Sequence, residues 1–256
     1  YHISDGKIDL RLVDLKQIVR YYSAVSKRNY IWKNIIHNYN SLQQHFHETV
    51  CSYLNLTRGL HIAKDNIFMT SQRESIVYAT CRSIVKAGDI VVVAELSDYK
   101  MNMVIAQCGA LVKTIPIDDE GICVDTLEQI VMRSTIKAIY VQPLHHYPTT
   151  TVLSTARRIK LVALADKYDF LIIEDDEYVT YSYDKNQPLS MSASVTNSSI
   201  VYLGTVGNHL PPLYQTGFVI AHETIIKQVS NYLKLIHPAP DIILQLSIAE
   251  MINEGE

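Results

Sequence analysis

From residue 66 onward, short apolar runs alternate with amphipathic stretches, and the runs are apolar at successive positions rather than at every second one. "DIVVVAE" (89–95), "IKAIYVQP" (136–143), "FLIIED" (170–175) and "SIVYLG" (199–204) are of this kind. A strand with one face in water alternates polar and apolar side chains, whereas a run apolar throughout must be covered on both faces. Helical periods over 72–85, 99–108, 124–133 and 153–168 separate these runs, and "NIFMT" (66–70), "ALVKTIPI" (110–117) and "TGFVIA" (216–221) read as further strands. Asp125 reads as the N-cap of the third helix, and Ser154 or Thr155 as that of the fourth. Alternation with short connections predicts an α/β fold with a doubly wound, mostly parallel sheet.

Ligands in such sheets collect beyond the carboxyl ends of the strands. That places Thr70–Ser71, Glu95, Gln142–His146, Glu174–Asp176 and Thr205–His209 around one cleft. The flanks are plainer. "SLQQHFHETVCSYLNLTRG" (41–59) predicts a helix ended by Gly59, within an otherwise irregular first 65 residues. Helices over 223–235 and 242–252 are parted by "HPAP". The expected organisation is an N-terminal segment over 1–65 joined to a large-domain core over 66–221, then a helical exit segment over 222–256. The stretch 183–199 reads as a long loop inside the fold. Tyr1 in place of Met and an end at "MINEGE" predict a piece of a longer protein.

Charge excludes one class of partner. With 26 acidic and 23 basic residues, net −3, the chain lacks the basic block that grips a phosphate backbone. Its four cysteines form no C-x-x-C pair and read as mostly buried, reduced thiols of a cytoplasmic protein. No apolar run approaches the roughly 18 residues a membrane helix needs, so no membrane partner is expected.

Four stretches, in order, resemble one family. They are "FHETVCSYLNLTRGLHIAKDNIFMTS", "PLHHYPTT", "FLIIEDDEY" and "YLGTVGNHLPPLYQTGFV". The resemblance is to fold-type I pyridoxal-phosphate aminotransferases of class I/II, and within them to the aminotransferase-like domain of MocR-type regulators in the GntR superfamily. It covers nearly the whole chain. It implies the aminotransferase large domain, with the small C-terminal domain absent from this chain.

Matched residue by residue, the family's Schiff-base lysine falls on Asn208, and the serine before it on Gly207. The arginine that holds the cofactor phosphate falls on Gln215. Gln72 and Thr150 replace two glycines. An amide cannot form an imine with an aldehyde, and a neutral amide cannot pair with phosphate as a guanidinium does. Other positions survive. The resemblance implies Asp175 for the pyridine nitrogen, Tyr178 for the ring oxygen, Tyr99 for stacking, His145 near the ring, and Ser71 with Arg73 at a helix N-terminus suited to phosphate.

Each of these has a plainer reading. Asp175 ends a strand where the chain reaches solvent. Tyr99 and Tyr178 belong to a set of 17 tyrosines that pack many surfaces. Arg73 is a solvated helix residue, Ser71 a helix cap. Adjacent His145 and His146 point apart on extended chain, so no metal site is expected. Asn208 and His209 occupy a loop whose task is gone, unless His209 serves as an acid–base group.

The resemblance therefore implies a degenerate, non-transaminating domain that senses a small polar effector and forms a homodimer within a GntR/MocR-type transcription regulator. It would bind DNA only through a winged-helix domain absent from this chain. No catalytic residue is assigned, and pyridoxal phosphate binding is expected to be weak or absent. The alternatives are an active pyridoxal-phosphate aminotransferase in the full-length protein, anchored at Lys100 or a lysine beyond residue 256, and a purely structural dimerisation scaffold.

Overall fold

Three helices, α1 (Leu15–Ser26), α2 (Asn29–His37) and α3 (Tyr39–Arg58), come first. The computed structural model describes residues 14–71, 73–177, 189–194, 199–208, 210, 214–236 and 240–255. The alternating region follows as β1 (Ile67–Thr70), α4 (Arg73–Ile84), β2 (Ile90–Ala94), α5 (Tyr99–Gln107) and β3 (Leu111–Ile115). A small hairpin of β4 (Ile117–Asp118) and β5 (Gly121–Ile122) leads into α6 (Val124–Val131), β6 (Ala138–Val141), α7 (Thr155–Tyr168) and β7 (Leu171–Asp175). Then come α8 (Met191–Ser194), β8 (Ile200–Val206), β9 (Thr216–Ile220), α9 (Glu223–Ile236) and α10 (Ile242–Glu254).

The strands form one seven-stranded sheet in the order β1-β9-β8-β7-β6-β2-β3. The neighbours from β8 through β3 are parallel, and β9 runs antiparallel to both β8 and β1. Successive residues of the central strands enter opposite layers, as continuous apolar runs require. Val91, Val93, Tyr140 and Ile173 pack with Ile76, Ile105 and Val229. Val92, Ile139, Val141 and Ile172 pack with Leu127, Leu161 and Leu164. Each such Val, Ile or Leu contributes about 1.5–3 kcal/mol on leaving water. This is the mostly parallel, helix-covered sheet expected of an aminotransferase large domain.

The first 65 residues are more regular than expected. In α1, Ile18, Tyr21 and Val25 are buried at helical spacing, but Val19 and Tyr22 between them are exposed. Apolar residues on both faces blur the period that a sequence reading relies on. Helices α1 and α3 pack against α10, with Phe46, Val50 and Leu54 meeting Tyr202 and Phe218. Gly59 ends α3 at φ +63°, a left-handed cap that a glycine takes without strain.

Asp125 is not the cap of α6; Cys123 holds that position. The helix starts early because Val124 is buried in the core, which leaves Asp125 in the first turn, 2.6 Å from Lys160 Nζ. Ser154 does cap α7, its hydroxyl accepting from Arg157 N. The expected loop over 183–199 contains α8, and much of that stretch lies outside the described residues.

Candidate functional site

At the carboxyl end of the sheet, β1, β6, β7 and β8 deliver Ser71, Gln142, Asp175 and Asn208 to one region. Because β9 runs backwards, Gln215 before it reaches the same end. A cleft of about 710 Å³ opens here, lined among others by Val19, Tyr22, Ser71, Arg73, Glu177 and Gln215. A pocket of about 100 Å³ beside it is lined by Arg73, Tyr99, Lys100, Tyr147, Asp175 and Glu177.

Asp175 is 1% exposed along its side chain and fully engaged. Arg73 Nη2 donates to both carboxylate oxygens at 2.6 Å, and Tyr140 Oη donates to Oδ2 at 2.7 Å. Arg73 Nη1 also lies 3.3 Å from Glu177. Burial alone would lower the pKa of Arg73, but Asp175 and Glu177 outweigh it and hold the guanidinium more firmly charged. Burial, chiefly, raises Glu177 to about 7, helped by Asp175 and opposed by Arg73. Arg73 is thus not a solvated helix residue but the ion-pair partner of Asp175 and Glu177. Gly217 explains its course: a Cβ there would stand 2.6 Å from Arg73 Cα, so only glycine lets the start of α4 lie this close to β9.

Asn208 is buried, and its amide Nδ2 donates to the Glu177 carbonyl. Gln215 Nε2 donates to the carbonyls of Leu210 at 2.7 Å and Asn208 at 3.4 Å, so its side chain ties the loop to itself. Thr150 sits at φ +61°, a glycine's conformation held by a β-branched residue. His145 is half-buried, whereas His146 is buried and bonded through Nε2 to Leu96 O at 2.6 Å; burial lowers the pKa of both rings. Tyr99, 61% exposed, stands at the rim of the smaller pocket. Gln72, Tyr178 and His209 lie outside the described residues. Among those described, no group of three or more His, Cys, Asp or Glu side chains is arranged to hold a metal. No described helix is long and apolar enough to cross a membrane.

The sequence profile for aminotransferase class I and II matches residues 33–254. The chain belongs to that family. Relatives of this aminotransferase-family chain fall into two kinds. It is 24% identical over 233 residues to the HTH-type transcriptional regulator YdeL of Bacillus subtilis, covering 85% of this chain and 49% of that protein. It is 28% identical over 210 residues to an aminotransferase of Saccharolobus solfataricus, covering 79% and 52%. The probable rhizopine catabolism regulatory protein MocR of Rhizobium meliloti is 21% identical, over 80% of this chain and 41% of its own. Among solved structures, an archaeal alanine:glyoxylate aminotransferase superposes with a TM-score of 0.86 at 23% identity, over 99% of this chain and 63% of that one. The chain spans about half the length of the curated relatives it matches.

Three residues of this aminotransferase-like site escape a sequence reading. Tyr140 interrupts an apolar strand with a hydroxyl, and Gly217 interrupts another with no side chain, the mark of a close backbone approach. Both signals were available. Arg58, which approaches the neighbouring Asp176, gave none, because its place at a helix end is where basic residues ordinarily sit.

Proposed function

We propose that this chain is a catalytically silent aminotransferase-family domain that senses a small polar effector and dimerises within a GntR/MocR-type DNA-binding regulator of the cytoplasm. DNA contact would belong to a winged-helix domain outside this chain. The observation that carries the reading is Asn208, an amide at the position that the resemblance matches to the imine-forming lysine. Its nitrogen lone pair is delocalised and its amide is engaged with Glu177.

The residues present do not fit pyridoxal phosphate. Gln215 spends its amide on loop carbonyls rather than on a phosphate. Losing one phosphate–arginine pair costs about 1.5–3 kcal/mol, roughly ten- to a hundredfold in affinity. The carboxylate that would pair with the ring nitrogen is already held by Arg73 and Tyr140. Likeness to regulators such as YdeL supports the regulatory half of the reading. One observation favours the active-enzyme alternative: Lys100, exposed, lines the same small pocket as Asp175.

Titration with pyridoxal phosphate at several concentrations of inorganic phosphate, followed by calorimetry and absorbance, tests the reading. The expected result is no imine band and no saturable heat. An imine band abolished by reductive trapping at Lys100 alone would establish the alternative instead.

A further inference from the structure

The two cavities meet along the start of α4 and the end of β7. Arg73 lines both the cleft of about 710 Å³ and the pocket of about 100 Å³, and Glu74 and Glu177 are the other residues they share. Asp175 touches the smaller pocket only. The Arg73 guanidinium is therefore the partition between an open cleft and a buried carboxylate.

We propose that Asp175 and Glu177 form a seat for a compact planar cation, that Arg73 fills this seat as a tethered occupant, and that an organic amidinium takes it when the Arg73 side chain is removed. The inference rests on this ion-pair geometry and holds whether or not the domain senses an effector.

Charge sets the class of occupant. Asp175, Glu177, Asp98 and Glu74 all face these cavities, so an anion is repelled and a neutral group leaves a buried carboxylate unpaired. Lys100, exposed, is the other cation lining the smaller pocket.

Nitrogen geometry narrows the class further. One nitrogen of Arg73 serves both oxygens of Asp175, and a second reaches Glu177 at 3.3 Å. The third, Nε, is buried with no hydrogen-bond partner among the described residues. The seat thus reads two nitrogens of one planar group and leaves the third position apolar in effect. An amidinium, with carbon in place of Nε, meets that requirement. Tyr140 completes the seat by donating to Asp175 from the sheet side.

Chemical rescue tests this in the full chain, with benzamidinium as probe and benzoate and benzyl alcohol as controls of like shape. Arg73→Ala should melt roughly 10 °C below the parent. Millimolar benzamidinium should restore at least half of that loss, with neither control doing so. The parent, its seat taken, should not respond, and Arg73→Ala/Asp175→Asn should not respond either. Should Arg73→Ala fail to fold alone, recovery of folded protein only when benzamidinium is present supports the seat equally, and Arg73→Gln is read by the same criterion. The proposal is overturned if benzamidinium shifts Arg73→Ala no more than it shifts the parent or the double variant. It is equally overturned if both single variants stay unfolded with benzamidinium while the double variant folds.

Discussion

Neighbouring carboxylates at the end of β7 receive the same kinds of partner and end in opposite circumstances. Asp175 meets Arg73 and Tyr140; Asp176 meets Tyr202, whose hydroxyl donates at 2.5 Å, and Arg58 at 3.9 Å. Arg58 lies over the Phe218 ring and also donates to Tyr202 Oη at 2.8 Å, inside the cluster where α3 and α10 meet the sheet. Arg73 instead borders two cavities. Adjacent residues of a strand point to opposite faces, so one trio packs beside α3 and α10, against a cavity of only about 40 Å³, and the other borders the cleft of about 710 Å³. The two arginines are covered almost equally, 10% and 13% exposed along their side chains. The space beside them differs, not the residue type.

The largest expected effect breaks the trio beside α3 and α10. Arg58→Ala leaves the Asp176 carboxyl buried beside Tyr202 and removes the contact with Phe218, at a cost of about 4 kcal/mol in urea unfolding. Burial already holds Asp176 above its ordinary pKa despite Arg58 and Tyr202. Benzamidinium should not rescue this variant; equal rescue at both sites would erase the distinction between them.

A smaller effect sharpens the contrast from the cleft side. Gly217→Ala pushes a methyl into the backbone of Arg73 and should cost about 2 kcal/mol by the same measurement. Because it acts through the seating of Arg73, its cost and that of Arg73→Ala should sum to more than the double variant loses.

The smallest effect is in pH dependence. Glu177 is raised from 4.5 to about 7, mainly by burial. A carboxyl that keeps its proton longer in the folded state than in the unfolded one contributes fully at acid pH. That contribution is lost as the pH climbs from about 4.5 to about 7. Thermal stability should therefore fall as the pH rises from about 4.5 to about 7, and Glu177→Gln should flatten the fall by about 1 kcal/mol, solvent screening included. Glu174, raised to about 7 chiefly by burial, contributes to the remainder. An unchanged profile in Glu177→Gln would place the titration elsewhere.

The sheet was legible because its signals are local. Apolar runs such as 89–95 and 170–175 became β2 and β7 with little shift at either end. Helices α1 and α2 were not, since Val19, Tyr22 and Trp32 put apolar surface on faces that a period would leave polar. In the site, Asp175 and Asn208 were found at the expected strand ends. The partners of Arg73 were not legible, and His146 is the more buried of the two rings, bonded to Leu96 O, with His145 half-buried beside it.

Chain order alone determined that strands and helices alternate, that β7 ends in carboxylates, and that residue 208 offers an amide beyond the end of β8. These follow from residue type and spacing, which act over a few residues. Folding alone decided which arginine meets which carboxylate. Arg73 and Asp175 are 102 positions apart, and Arg58 and Tyr202 are 144 apart. Such pairs are chosen by sheet order and by the close approach at Gly217, and no local pattern encodes either.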